Sequence, residues 1–84
     1  MSVQKKRNLN ERKFSELEDL SDGGRRYFLE VKGRHGWNAR YVKEVDADEE
    51  TLKFFQEIYN DKGVLVEVHE KFPVDKGHRK IKEE

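Results

Sequence analysis

The chain has 84 residues, enough for one small domain, and its 18 basic and 18 acidic side chains give a formal net charge of zero at pH 7. It contains no cysteine, which excludes disulfide bonds, thiol catalysis and cysteine-ligated zinc. No apolar run approaches the ~20 residues that a membrane-spanning helix needs, and the N-terminus lacks the apolar core of a signal peptide. We therefore expect a cytoplasmic protein with no membrane partner.

The charges are segregated along the chain although they sum to zero. Residues 1–13 and 23–43 are mainly basic, whereas residues 14–22 and 44–61 are mainly acidic. Segregated charge creates local potentials that steer binding partners, so the blocks are more informative than the net value.

The first segment, residues 1–24, is predicted to be a basic and then acidic arm that is partly disordered. Within it, Phe14, Leu17 and Leu20 recur every third position. This spacing predicts a short amphipathic helix over residues 10–20.

Two strands follow in the basic block. Residues 26–32 alternate apolar and polar side chains, and residues 37–45 do the same. The glycine-rich stretch 33–36 between them suits a tight turn. These segments predict an antiparallel hairpin.

Residues 46–60 have the spacing of a helix. Asp46 and Glu49 resemble a capping box, and Gly63 suits the left-handed position after a helix C-terminus. Between these signals the apolar side chains recur at helical intervals. They are Leu52, Phe55, Ile58 and Tyr59.

A last strand is predicted over residues 64–72 and ends at Pro73, which has no N–H to donate. The order of elements predicts an α+β fold, β-β-α-β, in which one helix packs on one face of a three-stranded sheet. Residues 25–79 would form this domain, and residues 80–84 a disordered tail.

The sheet face away from that helix is predicted to carry three large apolar residues. They are Phe28, Val42 and Leu65. An apolar patch with a charged rim favours a cover, which can be the N-terminal helix, a protein partner or a second copy in a homodimer.

The basic hairpin is a candidate nucleic-acid surface. Its cations are Arg25, Arg26, Lys32, Arg34, Arg40 and Lys43. They can follow an RNA phosphate backbone, while Phe28, Trp37 and Tyr41 can stack on unpaired bases. The competing interpretation is that Trp37 and Tyr41 are core residues and that the arginines only make the sheet hydrophilic.

The C-terminal stretch concentrates groups that can transfer protons. The candidates are His69, Asp75, His78 and Arg79. Two histidines can act as general base and general acid while Arg79 holds a phosphate, which would make the protein a small toxin-type ribonuclease. The competing interpretation is a solvated turn in which His69 contacts a carboxylate across the sheet, such as Glu30.

No other motif indicates bound cofactors. The three histidines lack recognised metal-ligand spacing, and the glycines form no nucleotide-binding loop. We expect no metal, no cofactor and no nucleotide. The leading hypothesis is a non-catalytic binding module for RNA or a protein partner, with the ribonuclease and the structural homodimer as alternatives.

Overall fold

The computed structural model describes residues 1–75 and 77–81. Its strands form one antiparallel sheet of six, and their spatial order is their order in the chain. The elements are α1 (Val3–Lys13), β1 (Glu16–Asp19), β2 (Arg25–Lys32), β3 (Asn38–Val45), β4 (Thr51–Tyr59), β5 (Leu65–Phe72) and β6 (Gly77–Lys80). Within the described ranges no helix is long and apolar enough to cross a membrane.

The predicted three-stranded β-β-α-β fold is wrong, because the segment predicted as its helix is strand β4. Phe54 and Ile58 lie on one face of the sheet, and Phe55 and Tyr59 on the other. A strand that is apolar on both faces can mimic helical spacing. The aromatic and β-branched residues of β4 favour the extended form.

The signals assigned to helix caps belong to hairpin turns instead. Asp46 Oδ1 accepts the backbone N–H groups of Asp48 and Glu50. Glu49 adopts a φ of 61° and Gly63 a φ of 75° in the turns before and after β4. Acidic residues and glycine serve tight turns as well as helix ends, so these cues do not separate the two structures.

The helix predicted over residues 10–20 is wrong in position: the helix is Val3–Lys13, and Glu16–Asp19 form a strand. Ser2 caps the helix by accepting the Lys5 N–H, and it ends at Lys13. Residues Glu16–Asp19 pair with β2 as the edge strand β1. The segment 1–24 therefore supplies one helix and one strand. Of the predicted tail 80–84, residues 82–84 lie outside the described residues.

The core is small and lies at one end of one sheet face. Phe14 at the end of α1 packs with Tyr27 of β2 and Val45 of β3, and the Phe14 and Tyr27 ring centroids are 5.7 Å apart. We call the face that carries Tyr27 the helix-side face, and the face that carries Val42 the opposite face. Because the fold has a single layer, α1 leaves much of the helix-side face open, including Val31.

A buried polar network attaches α1 to the sheet. Glu49 as a residue is 4% exposed, and its carboxylate accepts hydrogen bonds from Asn10 Nδ2 at 2.9 Å and from Tyr27 Oη at 2.8 Å. Arg7 Nε lies 3.4 Å from its second oxygen. Burial is the main cause that raises the pKa of Tyr27, so its hydroxyl remains a donor.

Candidate functional site

One row of paired residues crosses the helix-side face from β2 to β6. It consists of Leu29, Tyr41, Gln56, His69 and His78. Directly paired residues in antiparallel strands project to the same side, so these groups lie side by side. Gln56 Nε2 donates to the Tyr41 hydroxyl at 3.1 Å. The row therefore leads from the apolar core to a pair of imidazoles.

The carboxylate of Asp75, in the turn between β5 and β6, lies beside the histidine pair and contacts His69. His69 Nε2 lies 2.6 Å from Asp75 Oδ1. The ring centroids of His69 and His78 are 4.4 Å apart, and the rings are inclined by 50°. We call His69, Asp75 and His78 the histidine cluster.

The two rings of the histidine cluster differ in burial: His69 is largely buried, and His78 is exposed to solvent. The backbone N–H of Gly77, and secondly the hydrogen bond with His69, hold the pKa of Asp75 below its usual range. The His69 side chain is only 15% exposed, and its Nδ1 is buried with no hydrogen-bond partner among the described residues. His78 is exposed to solvent. The carboxylate thus orients His69, while His78 forms the outer surface.

A lysine on an aromatic surface lies beside the cluster. The rings of Tyr41 and Phe54 are nearly parallel, at 24° and a centroid separation of 6.2 Å. Lys71, two residues from His69 on β5, places its Nζ 5.2 Å from the Tyr41 ring centroid and 5.9 Å from that of Phe54. A cation is therefore held against π faces on the same sheet face as the imidazoles.

Open pockets flank this row on the helix-side face. One, of about 400 Å³, is lined by Trp37, which is 41% exposed, and by Lys80. Another, of about 240 Å³, lies where Lys13 of α1 approaches Lys43 and Phe54. Burial, and then the charge of Lys13, lowers the pKa of Lys43.

The cations of the predicted basic hairpin do not share one surface. The strand register places Arg25 and Lys43 on the helix-side face, and Arg26, Lys32 and Arg40 on the opposite face. Arg34 lies in the turn between β2 and β3. Their division follows from the two-residue period of a strand, which a basic stretch of sequence does not reveal.

Three of the hairpin arginines make contacts with other side chains of the protein. The Nε of Arg25 lies 2.7 Å from Asp19, and the Nε of Arg26 lies 3.0 Å from Glu44. The guanidinium of Arg40 lies 4.4 Å from the Phe28 ring centroid. These contacts stabilise the sheet and leave those cations less available to a phosphate.

Two members of the predicted partner interface, Phe28 and Val42, are paired neighbours on the opposite face. Phe55 of β4, which was not predicted there, pairs with Val42 on its other side. Val42 is 2% exposed, so its neighbours already cover it. Leu65 lies at the start of β5, paired with Tyr59. The homodimer stays a prediction.

The structure brings together His69, Asp75 and His78 of the predicted catalytic set. The contact partner of His69 is Asp75, whereas Glu30 lies on the opposite face. The backbone of Arg79 pairs with Val68, and its side chain lies outside what the structure describes. Over residues 1–75 and 77–81, no group of three or more His, Cys, Asp or Glu side chains is arranged to hold a metal ion.

Sequence reasoning missed Lys71 and Lys80 as members of a site. Both follow a histidine by two residues, in the patterns His69-x-Lys71 and His78-x-Lys80. In two neighbouring strands this spacing places all four side chains on one face. The His-x-Lys spacing is visible in the sequence, but it indicates a shared face only once residues 77–80 are known to form strand β6.

No protein-family model, curated protein or solved structure matches this chain. Its own geometry is therefore the basis for a functional proposal.

Proposed function

We propose that the protein is a binding module for single-stranded RNA and that the open part of the helix-side face is its binding surface. The observation that carries the proposal is the position of Lys71 over Tyr41 and Phe54, on the face that also carries two imidazoles and the pocket lined by exposed Trp37. The fold differs from the predicted one, and of the predicted hairpin cations only Arg25 and Lys43 lie on this face.

Charge supports this choice of face. The strand glutamates on the opposite face are Glu16, Glu18, Glu30, Glu44, Glu57 and Glu70. On the helix-side face the strands contribute the acids Asp19, which pairs with Arg25, and Glu67, which is in register with Lys80. The strand cations of the opposite face are Arg26, Lys32, Arg40 and Lys53, and those of the helix-side face are Arg25, Lys43, Lys71 and Lys80. Among the described strand side chains the acids therefore outnumber the cations on the opposite face, and the cations outnumber the acids on the helix-side face, which favours phosphates there.

The helix adds to the same potential. Its cations are Lys5, Lys6, Arg7, Arg12 and Lys13, against the single carboxylate Glu11. Two of them are paired with acids of the turn before β4, Lys6 with Glu50 and Arg7 with Glu49. Lys13, at the end of the helix, borders the pocket that contains Lys43 and Phe54.

The geometry favours single strands over duplexes. A sheet surface presents ring faces and ring edges over a broad area, and only unpaired bases can stack on them. Bases inside a duplex are already stacked on each other. A cytoplasmic location is part of the proposal, because the chain lacks cysteine and RNA is present in that compartment.

The test of this proposal uses the single tryptophan of the chain, Trp37. Titration with a single-stranded RNA of about 12 nucleotides is expected to quench its fluorescence, because bases stack on it. In anisotropy measurements with labelled RNA, Trp37→Ala is expected to weaken binding by about 1–3 kcal/mol. Removal of Lys71 and Lys80 together, each to Ala, should lower the slope of log affinity against log salt by about two.

The matched control removes Lys32 and Lys53, which lie on the opposite face. This double variant is expected to bind with unchanged affinity and salt dependence. Binding that is insensitive to salt, or that is lost in the control but kept without Lys71 and Lys80, would overturn the proposed surface.

A further inference from the structure

We infer that the histidine cluster cleaves RNA bound on the helix-side face, with the 2′-hydroxyl of the RNA as nucleophile. The inference rests on the proposed function and extends it from binding to reaction. It is carried by the hydrogen bond from His69 to Asp75, by the adjacent ring of His78 and by the unpartnered ring nitrogen of His69.

His69 is arranged as the base. Since ionised Asp75 accepts a hydrogen bond from the N–H of Nε2, Nδ1 is the nitrogen of His69 that can take up another proton. A carboxylate that fixes the ring of a catalytic histidine in this way is a recurring arrangement in enzymes. Buried polar atoms almost always have a hydrogen-bond partner. A substrate hydroxyl would supply the partner that Nδ1 of His69 lacks among the described residues.

His78 is arranged as the acid. Its side chain is exposed, and its ring lies against that of His69, so one phosphodiester can contact both rings. Nδ1 of His69 is buried in the free protein, so the inference requires the exposed side chain of His78 to turn aside when RNA binds. Lys71, two residues along the same face from His69, would oppose the negative charge that develops on the phosphate.

The reaction balances without a metal ion or co-reactant. His69 Nδ1 accepts the proton of the 2′-hydroxyl as its oxygen forms a bond to phosphorus. The bond from phosphorus to the 5′-oxygen breaks, and that oxygen takes a proton from the His78 imidazolium. The products are a 2′,3′-cyclic phosphate and a 5′-hydroxyl end. Proton exchange with water then restores both histidines.

The test compares three oligonucleotides of one sequence with the full chain: all-RNA, all-DNA, and DNA with a single ribonucleotide. Cleavage is expected in the RNA and at the single ribonucleotide, with a cyclic phosphate detected by mass spectrometry, and not in the DNA. His78→Ala and His69→Gln should each reduce the cleavage rate by roughly 100-fold or more. The loss of rate should greatly exceed any loss of RNA affinity, because both variants keep Lys71 and Trp37.

Asp75 is a positioning residue in this scheme, since it acts through His69. Asp75→Asn should lower kcat while KM changes little, and it should alter the limb of the pH–rate profile that reports the base. His78 is exposed, so His78→Ala should remain folded by circular dichroism and keep the test valid if His69→Gln unfolds. Lys53→Ala on the opposite face is the matched control and should cleave normally.

Measuring RNA binding and RNA cleavage separately distinguishes failure of the cleavage inference from failure of the proposed binding function. RNA binding by the wild-type protein without cleavage overturns the inference and leaves the binding module standing. Absence of binding overturns both. Cleavage that persists at the wild-type rate in His78→Ala overturns the inference, because it comes from another site or another protein.

Discussion

Glu49 is the residue on which the attachment of α1 to the sheet depends. Its buried carboxylate accepts hydrogen bonds from Asn10 of the helix and Tyr27 of the sheet. A buried charge is tolerated only when it is paired and hydrogen-bonded, so each of these partners is needed. Glu49 also has a positive φ, so the turn is constrained both by its backbone conformation and by its side-chain hydrogen bonds.

Tyr27→Phe tests this network at a single atom. It removes the hydroxyl that donates to Glu49 and keeps the ring that packs on Phe14. The expected loss is about 1–3 kcal/mol in the free energy of unfolding, because a buried acceptor loses a partner. Tyr59→Phe is the control, since its hydroxyl donates to the less buried Glu57. Equal losses for the two variants in urea titrations would contradict the network.

The residue types of the histidine cluster could be predicted from the sequence, but their contact could not. His69 and His78 are nine positions apart with Pro73 between them, and such a stretch can end a strand or form a hairpin. Their meeting depends on the pairing of β5 with β6, in which His69 is directly opposite His78. That register in turn depends on how Asp75 and Gly77 shape the turn.

At the scale of elements, β4 shows why the predicted fold was wrong. The hairpin of β2 and β3 has one face more apolar than the other, and alternation identified both strands. In β4 both faces are partly apolar, at Phe54 and Phe55 for example, so alternation is hidden. Whether such a segment is a helix or a strand depends on neighbours on both sides, which local spacing does not contain.

The β5–β6 hairpin is expected to depend on the ionised form of Asp75. The N–H of Gly77 and then His69 lower the pKa of this carboxyl in the folded protein. A lowered folded-state pKa means that the stabilisation is fully present above the ordinary carboxyl pKa of about 3.9 and is lost as the pH falls through the folded-state value. Asp75→Ala should therefore reduce amide-exchange protection of Gly77 and His78 near neutral pH.

The difference in amide-exchange protection between wild type and Asp75→Ala should also depend on pH. Protection in the wild-type protein should approach that of the Asp75→Ala variant as the pH falls below about 4. Asp61→Ala, in the exposed turn between β4 and β5, is the control and should leave β6 unchanged. Identical protection of Gly77 in wild type and Asp75→Ala at neutral pH would contradict the role assigned to the carboxylate.

For the whole molecule, the distribution of charge between two faces is more informative than its distribution along the chain. The basic block of residues 23–43 is divided between the faces once it forms strands, whereas six strand glutamates converge on the opposite face. A single-layer sheet with one short helix leaves both faces accessible, so this polarity is presented to partners. The composition gives the net charge, but only the strand register shows how the charges are divided between the two faces.

The most direct test maps the proposed RNA-binding surface by NMR. Titration of isotope-labelled protein with single-stranded RNA is predicted to shift the Trp37 indole, the Tyr41 ring and the imidazoles of His69 and His78. Their neighbours Lys71 and Lys80 on the helix-side face should shift as well. Shifts confined to Phe28, Lys32, Arg40 and Phe55 on the opposite face, or no shifts at all, would contradict it.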